Sequence, residues 1–303
     1  MRSRSILSKI STKSIADCTA NNFIYNVILS GASGTSAVEG RVLLDDGAAT
    51  TLERWGERGP LILAVHGMTS SRKSWERLAR HLEGRFRLVS YDQRGHGDSA
   101  QVAGPMSLAR GVADAENVAA SLGEPVDVLL GHSWGGAVAI LAGARLPVAR
   151  VATIDPMIRQ VSADWYDVYL AELRELFALT GSDRDARVRE EYRDWSALDV
   201  EGKVHAVHSM TAEPIAGLLR ENPPGEWDLR ASIARYEKPL LLALAAPGES
   251  INDEQTLEQL ERDRSASVRI ARVPNAGHNV HRTAFQDLAR SLDDWLALTR
   301  ITP

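Results

Sequence analysis

Gly131-His132-Ser133-Trp134-Gly135-Gly136 constrains this chain more than any other stretch. It contains Gly-x-Ser-x-Gly between a short apolar run, Val126 to Leu130, and an alanine-rich run, Ala137 to Ala144. Strand, sharp turn and helix is the context that makes such a pattern a nucleophile elbow. Glycine at 131 and 135 removes the Cβ atoms that would collide where strand and helix converge. The turn would hold the Ser133 hydroxyl at a helix N-terminus, where partial positive charge favours a developing alkoxide. The competing reading is a glycine-rich turn with an incidental serine, and the flanking elements favour catalysis over it.

With 303 residues, 44% of them hydrophobic, the chain can bury a large core as one α/β domain or two smaller ones. A formal net charge of -5 gives no electrostatic case for nucleic acid. Cys18 is the single cysteine, so no internal disulfide can form. There is no Cys/His cluster at ligand spacing, and neither a metal nor a cofactor is expected. No apolar run approaches the roughly 20 residues of a membrane span, and a cytoplasmic location is expected.

Met1 to Ala16 carries Arg2, Arg4, Lys9 and Lys13 and no acid, a composition shared with organellar presequences. Residues 1–37 are read as a poorly ordered extension; a targeting role would change the location and not the chemistry.

Further on, Arg41 to Leu44 and Thr50 to Trp55 flank Asp45-Asp46-Gly47, a hairpin signal. Leu61 to Val65 reads as a buried strand, and Arg87 to Tyr91, Val148 to Ile154, Leu240 to Ala245 and Val268 to Val273 as further strands. Helical spacing marks Ser74 to Leu82, Leu108 to Leu122 and Ala284 to Leu298. Strands alternating with helices imply a mostly parallel sheet with helices on both faces. Residues 158–232 break the alternation, with helical stretches, aromatic residues such as Trp165, Trp195 and Trp227, and Asn222-Pro223-Pro224-Gly225 near the end. So long an insertion must pack as a unit. It is read as a helical cap over the carboxyl edge of the sheet, where α/β proteins bind ligands.

Four motifs at strand ends, in order, resemble the α/β-hydrolase superfamily: His66-Gly67-Met68, Asp92 to Ser99, the elbow, and Ala276-Gly277-His278. The resemblance runs from about Val38 to the C-terminus. It implies an α/β-hydrolase fold with its core in residues 38–157 and 233–303. It also implies a serine hydrolase that needs no cofactor and cleaves a small ester, thioester or lactone through an acyl-enzyme. A serine hydroxyl needs a base within reach, and His278 is the best candidate. His66 and His132 look structural, and Arg94 and Asp98 are assigned no chemical step. In the resemblance the oxyanion donors are the backbone N–H groups of Met68 and Trp134.

The family's usual Gly-x-x-Asp turn is replaced here by Ala246-Pro247-Gly248-Glu249-Ser250. The acid that orients the histidine is therefore Asp155, placed where some relatives carry it, or Glu249, or Asp253. Epoxide hydrolases and haloalkane dehalogenases use an aspartate at the elbow, so Ser133 disfavours their chemistry. Carbon–carbon hydrolases, proline aminopeptidases and perhydrolases keep the serine and stay open, as does a non-catalytic binding relative. The expected partner is a small, partly apolar substrate; the sequence is silent on its identity and on oligomeric state.

Overall fold

The computed structural model describes residues 37–160, 163–222 and 227–299. The expected extension lies, Ala37 apart, outside the described residues, as do Pro223 to Gly225 and the side chain of Trp165.

The chain opens with β1 (Val38–Leu43) and β2 (Ala49–Trp55), then β3 (Leu61–Val65), α1 (Glu76–Leu82), β4 (Arg87–Tyr91) and α2 (Leu108–Ser121). It continues with β5 (Val126–His132), α3 (Ser133–Arg145) and β6 (Arg150–Ile154). Four helices follow in succession: α4 (Ala163–Ala178), α5 (Gly181–Glu191), α6 (Ala197–His208) and α7 (Glu213–Glu221). After α8 (Arg230–Ala234) come β7 (Leu240–Leu244), α9 (Glu254–Asp263), β8 (Val268–Arg272), α10 (Val280–Thr283) and α11 (Phe285–Leu298). The helix after the elbow thus begins at Ser133 itself, four residues ahead of the alanine run that signals it.

The eight strands form one sheet in the order β1-β2-β4-β3-β5-β6-β7-β8. Only the pairings of β1 with β2 and of β2 with β4 are antiparallel. Every residue of β3, β6 and β7 is buried, as expected of parallel strands covered on both faces. Alternation divides their side chains between two cores. Leu63, Leu129, Val151 and Leu242 pack with Val112 and Val118 of α2 and Val138 of α3. Ile62, Leu130, Ala152 and Leu241 pack with Leu78 of α1 and with Leu288, Leu292 and Trp295 of α11.

Between β6 and β7 the chain leaves the sheet. The two ends of this excursion run side by side: Leu229 N–H donates to the Ile158 carbonyl at 2.9 Å and Gln160 N–H to that of Trp227 at 3.2 Å. Within it, Leu170, Leu173, Met210 and Ile215 form one small apolar cluster, and Val188, Val204, Ala206 and Val207 another. Helix α8 crosses the expected boundary at 232 and packs on α9, with Ile233 in the main core. No helix among the described residues is long and apolar enough to cross a membrane.

Candidate active site

The elbow is built by steric exclusion. A Cβ on Gly131 would fall inside the Gly135 carbonyl, and one on Gly135 would strike the carbonyls of Val65 and His66. Strand β5 and helix α3 therefore meet with no side chain between them, and Ser133 takes φ 54° at the turn. A non-glycine residue in that region is strained and persists only where its surroundings hold it. Ser133 is buried and opens α3 as its first residue.

Asp155 follows β6, also with positive φ (38°), and is fully buried. Its Oδ1 accepts from Ala245 N–H at 3.1 Å and Ser250 Oγ–H at 2.7 Å; Oδ2 accepts from Ile251 N–H at 3.0 Å. The remaining acceptor site faces His278, whose Nδ1 lies 2.7 Å from Oδ2. A carboxylate only accepts, so Nδ1 carries the proton and Nε2 is left bare. Nε2 lies 3.0 Å from Ser133 Oγ and can accept the hydroxyl proton. His278 comes from the loop after β8, and its carbonyl lies 3.2 Å from His132 Nε2.

Of the three acids left open by the sequence, only Asp155 touches His278. Glu249 is exposed, and Asp253 caps α9 by accepting from Thr256 N–H at 2.7 Å. Met68 follows β3, and Trp134 is the second residue of α3, where a helical N–H has no carbonyl four residues back. Neither amide has an acceptor among the described residues. Gly67 lies directly against Ser133: a Cβ there would sit 3.0 Å from the serine Cβ.

The flanking histidines, His66 and His132, are buried. His66 Nε2 accepts from Gln93 N–H at 3.0 Å, and its Nδ1 lies 2.8 Å from the Gly67 carbonyl. Burial pushes His66 down to about 4 and His96 down to about 3, and drives His132 and His281 well below the usual histidine range. Arg94 and Asp98 do not pair with each other. Arg94 forks onto Asp114 and reaches Asp46 at 2.7 Å, whereas Asp98 meets Arg72 at 2.6 Å. Asp92, Asp98 and His205 lie close enough together to offer ligands to a cation. The Arg72 guanidinium already supplies positive charge to both carboxylates.

Ser133 and His278 open into a cavity of about 630 Å³ walled by Met68, by α4 residues such as Tyr169 and Leu173, and by Trp195. Trp227 instead packs edge-on against Trp134, with ring centroids 4.9 Å apart, and is buried. The cavity also holds Lys203 of α6 and Arg282 of α10, which sequence reasoning left unmarked. The one available signal was that Arg282 lies four residues beyond His278.

The geometry has counterparts among known proteins. An N-formylmaleamate deformylase of Pseudomonas putida is 28% identical over 75% of this chain and 85% of its own length. A mouse protein, epoxide hydrolase 4, is 38% identical over a shorter stretch, 30% of this chain and only 26% of its own length. Among solved structures, an E-2-(acetamidomethylene)succinate hydrolase superposes with a TM-score of 0.71 at 20% identity, covering 86% of this chain and 99% of that one. The sequence profile of the alpha/beta hydrolase family matches residues 62–291. With that match spanning most of its length, and with a parallel sheet and elbow of this form, the chain belongs to the alpha/beta hydrolase family.

Proposed function

We propose that this protein is a serine hydrolase that cleaves a small ester, thioester or lactone through an acyl-enzyme. One observation carries this reading: the unbroken chain Ser133 Oγ, His278 Nε2, His278 Nδ1, Asp155 Oδ2, with separations of 3.0 and 2.7 Å. Family membership and the deformylase relative support hydrolysis as the reaction class.

Each residue then has a defined task. His278 takes the Ser133 proton as Oγ attacks the acyl carbon, and the imidazolium that forms is stabilised by Asp155. The Met68 and Trp134 amides receive the oxyanion as the carbonyl oxygen gains charge. His278 returns its proton to the leaving group, then draws one from water as hydroxide attacks the acyl-enzyme, and passes it to Ser133 Oγ as the acyl–oxygen bond breaks. Asp155 already accepts from three protein donors besides His278, so it is held in place before substrate arrives. Helices α4 to α6 act as the cap, walling the cavity and excluding water. A serine at the elbow speaks against the epoxide-opening reaction named for the mouse relative, since that alkyl-enzyme ester forms on a carboxylate.

The test is turnover of p-nitrophenyl esters of graded chain length by wild type and Ser133→Ala. Turnover that disappears in the variant, with fluorophosphonate labelling of Ser133, is the expected result. A folded wild type that neither turns over any ester, thioester or lactone nor labels would sink the proposal.

A further inference from the structure

Buried arginines elsewhere in the molecule are compensated. Arg72 meets Glu39, Glu53, Asp92 and Asp98; Arg94 meets Asp46 and Asp114; Arg150 meets Asp127. Arg184, within the helical excursion, directs its guanidinium at five backbone carbonyls. That pattern follows from the cost of desolvating a charge, which is offset only by an opposite charge or by a full set of acceptors.

Lys203 and Arg282 depart from it. They are 6% and 5% exposed, and among the described residues neither has a carboxylate within ion-pair distance. Lys203 Nζ donates to the Thr69 carbonyl at 2.8 Å and to Thr69 Oγ1 at 3.0 Å, leaving the third ammonium proton toward the Tyr192 ring, 5.6 Å away. Arg282 Nη2 donates to Ser70 Oγ at 3.0 Å and Ser74 Oγ at 2.8 Å, while Nε has no partner. Its guanidinium lies over the Trp195 ring, 4.6 Å from the centroid. The planar fork is thus held flat with donors to spare.

Both cations face the same cavity as Ser133. Their anchors, Thr69 and Ser70, immediately follow Met68, and Thr69 is itself held at φ 52°. The cavity's acidic residues, Glu172, Glu175 and Glu191, are exposed, and Glu191 already pairs with Arg187 at 3.7 Å. Positive charge is therefore buried inside the cavity, while negative charge is solvated at its rim.

We infer that Lys203 and Arg282 form an anion subsite beside the Ser133 centre, built for a carboxylate on the substrate, so that the preferred substrate is a short acyl compound bearing a second, free carboxylate. This deepens the acyl-hydrolase reading and rests on it for the reaction, though not for the binding. A carboxylate supplies the missing counter-charge to both groups and can accept a charge-assisted hydrogen bond from Arg282 Nη1, the guanidinium nitrogen that neither serine occupies. Burial and then the charge of Arg282 push Lys203 down to about 7, and burial pushes Arg282 down to about 10, against the opposing pull of Glu191 and Asp199, which are themselves paired with Arg187 and Arg77.

The experiment compares p-nitrophenyl hydrogen glutarate with neutral p-nitrophenyl pentanoate, on wild type, Arg282→Gln, Arg282→Lys and Lys203→Gln. Alongside, glutarate alone is tested for thermal stabilisation of wild type and of Ser133→Ala. Wild type is expected to favour the anionic ester in kcat/KM, and each Gln variant to cut that preference by about 10- to 100-fold. Arg282→Lys should keep part of it. Glutarate should raise the melting temperature of wild type and Ser133→Ala, but not of the Gln variants.

A wild type that shows no anionic preference and no glutarate stabilisation overturns the subsite, whatever the variants do. Equal preference in wild type and folded Gln variants overturns it as well. Stabilisation by glutarate with no ester cleaved would uphold the subsite while removing the hydrolase reading; cleavage of the neutral ester alone would do the reverse. Equal or larger stabilisation by inorganic phosphate would overturn the assignment to a carboxylate.

Discussion

Arg72 and Arg282 are the same side chain buried to nearly the same degree, at 1% and 5% exposure, in opposite surroundings. Arg72, just after β3, holds the N-terminal hairpin, the Asp92 turn and the α6 side of the excursion together through four carboxylates and a contact with His205. Arg282, at the cavity wall, is tied to two serine hydroxyls and an indole ring. Desolvation costs both of them alike. In the first the fold itself returns the energy, and in the second the proposed ligand must. A buried charge therefore says little until its counter-charges are identified.

Four predictions sharpen or break that contrast. The largest effect is expected at the Ser133 centre: Ser133→Ala should lower kcat by about 10⁴-fold or more, on the order of 5–6 kcal/mol of transition-state stabilisation. Its melting temperature should stay near that of wild type. Steady-state kinetics with thermal denaturation check both, and retained turnover would move the chemistry elsewhere.

Next is Arg72→Met. It strands buried Asp92 without its cation and leaves buried Glu53 to Lys73 alone, and should cost about 3–5 kcal/mol in urea unfolding. If its loss costs no more than that of Arg282, the contrast fails.

The third effect is pH-dependent and belongs to the sheet side. His66, His96, His132 and His281 are buried, with folded pKa values depressed by desolvation, to about 4 for His66 and about 3 for His96. As pH falls below about 6.5 the unfolded chain binds protons that the folded protein refuses. Stability is therefore fully present above that value and lost as pH falls toward 4, by about 1.4 kcal/mol per pH unit for each histidine. For His66 this amounts to on the order of 3 kcal/mol over the window between about 6.5 and the folded value of about 4. Urea midpoints between those limits should show the slope, and His66→Gln should lower it by one histidine's share, about 1.4 kcal/mol per pH unit. A flat profile in wild type would mean that these rings are solvated.

The smallest effect is the most discriminating. Arg282→Met should leave ligand-free stability unchanged or raise it by about 1 kcal/mol, because it removes a charge without a counter-ion. A loss comparable to that of Arg72→Met would make Arg282 a structural residue and end the comparison.

Much of this arrangement is legible along the chain. The elbow, the hairpin and the buried strands follow from local spacing, because each depends on side chains within a few residues of one another. The whole of α9 escaped the pattern. It is a short polar helix signalled mainly by its Asp253 cap, an aspartate that also competed for the role of acid.

Ser133, with its glycine neighbours, and His278, behind its loop, were marked by sequence because their immediate neighbours serve the same turn. Which carboxylate meets His278 was a different kind of question. Asp155, Glu249 and Asp253 all sit at strand ends or in loops, and the choice depends on the lateral position of β6 beside β7 and on how the loop after β7 folds over Asp155. Likewise, nothing local in the sequence relates Lys203 to Arg282, 79 residues further on. By itself the sequence determined the fold class, the strained serine and its histidine, since backbone sterics and hydrophobic period are local. Only the tertiary structure decided the acid that holds the histidine and the pair of cations left without counter-charge, because hydrogen bonds and desolvation depend on which distant segments are packed together.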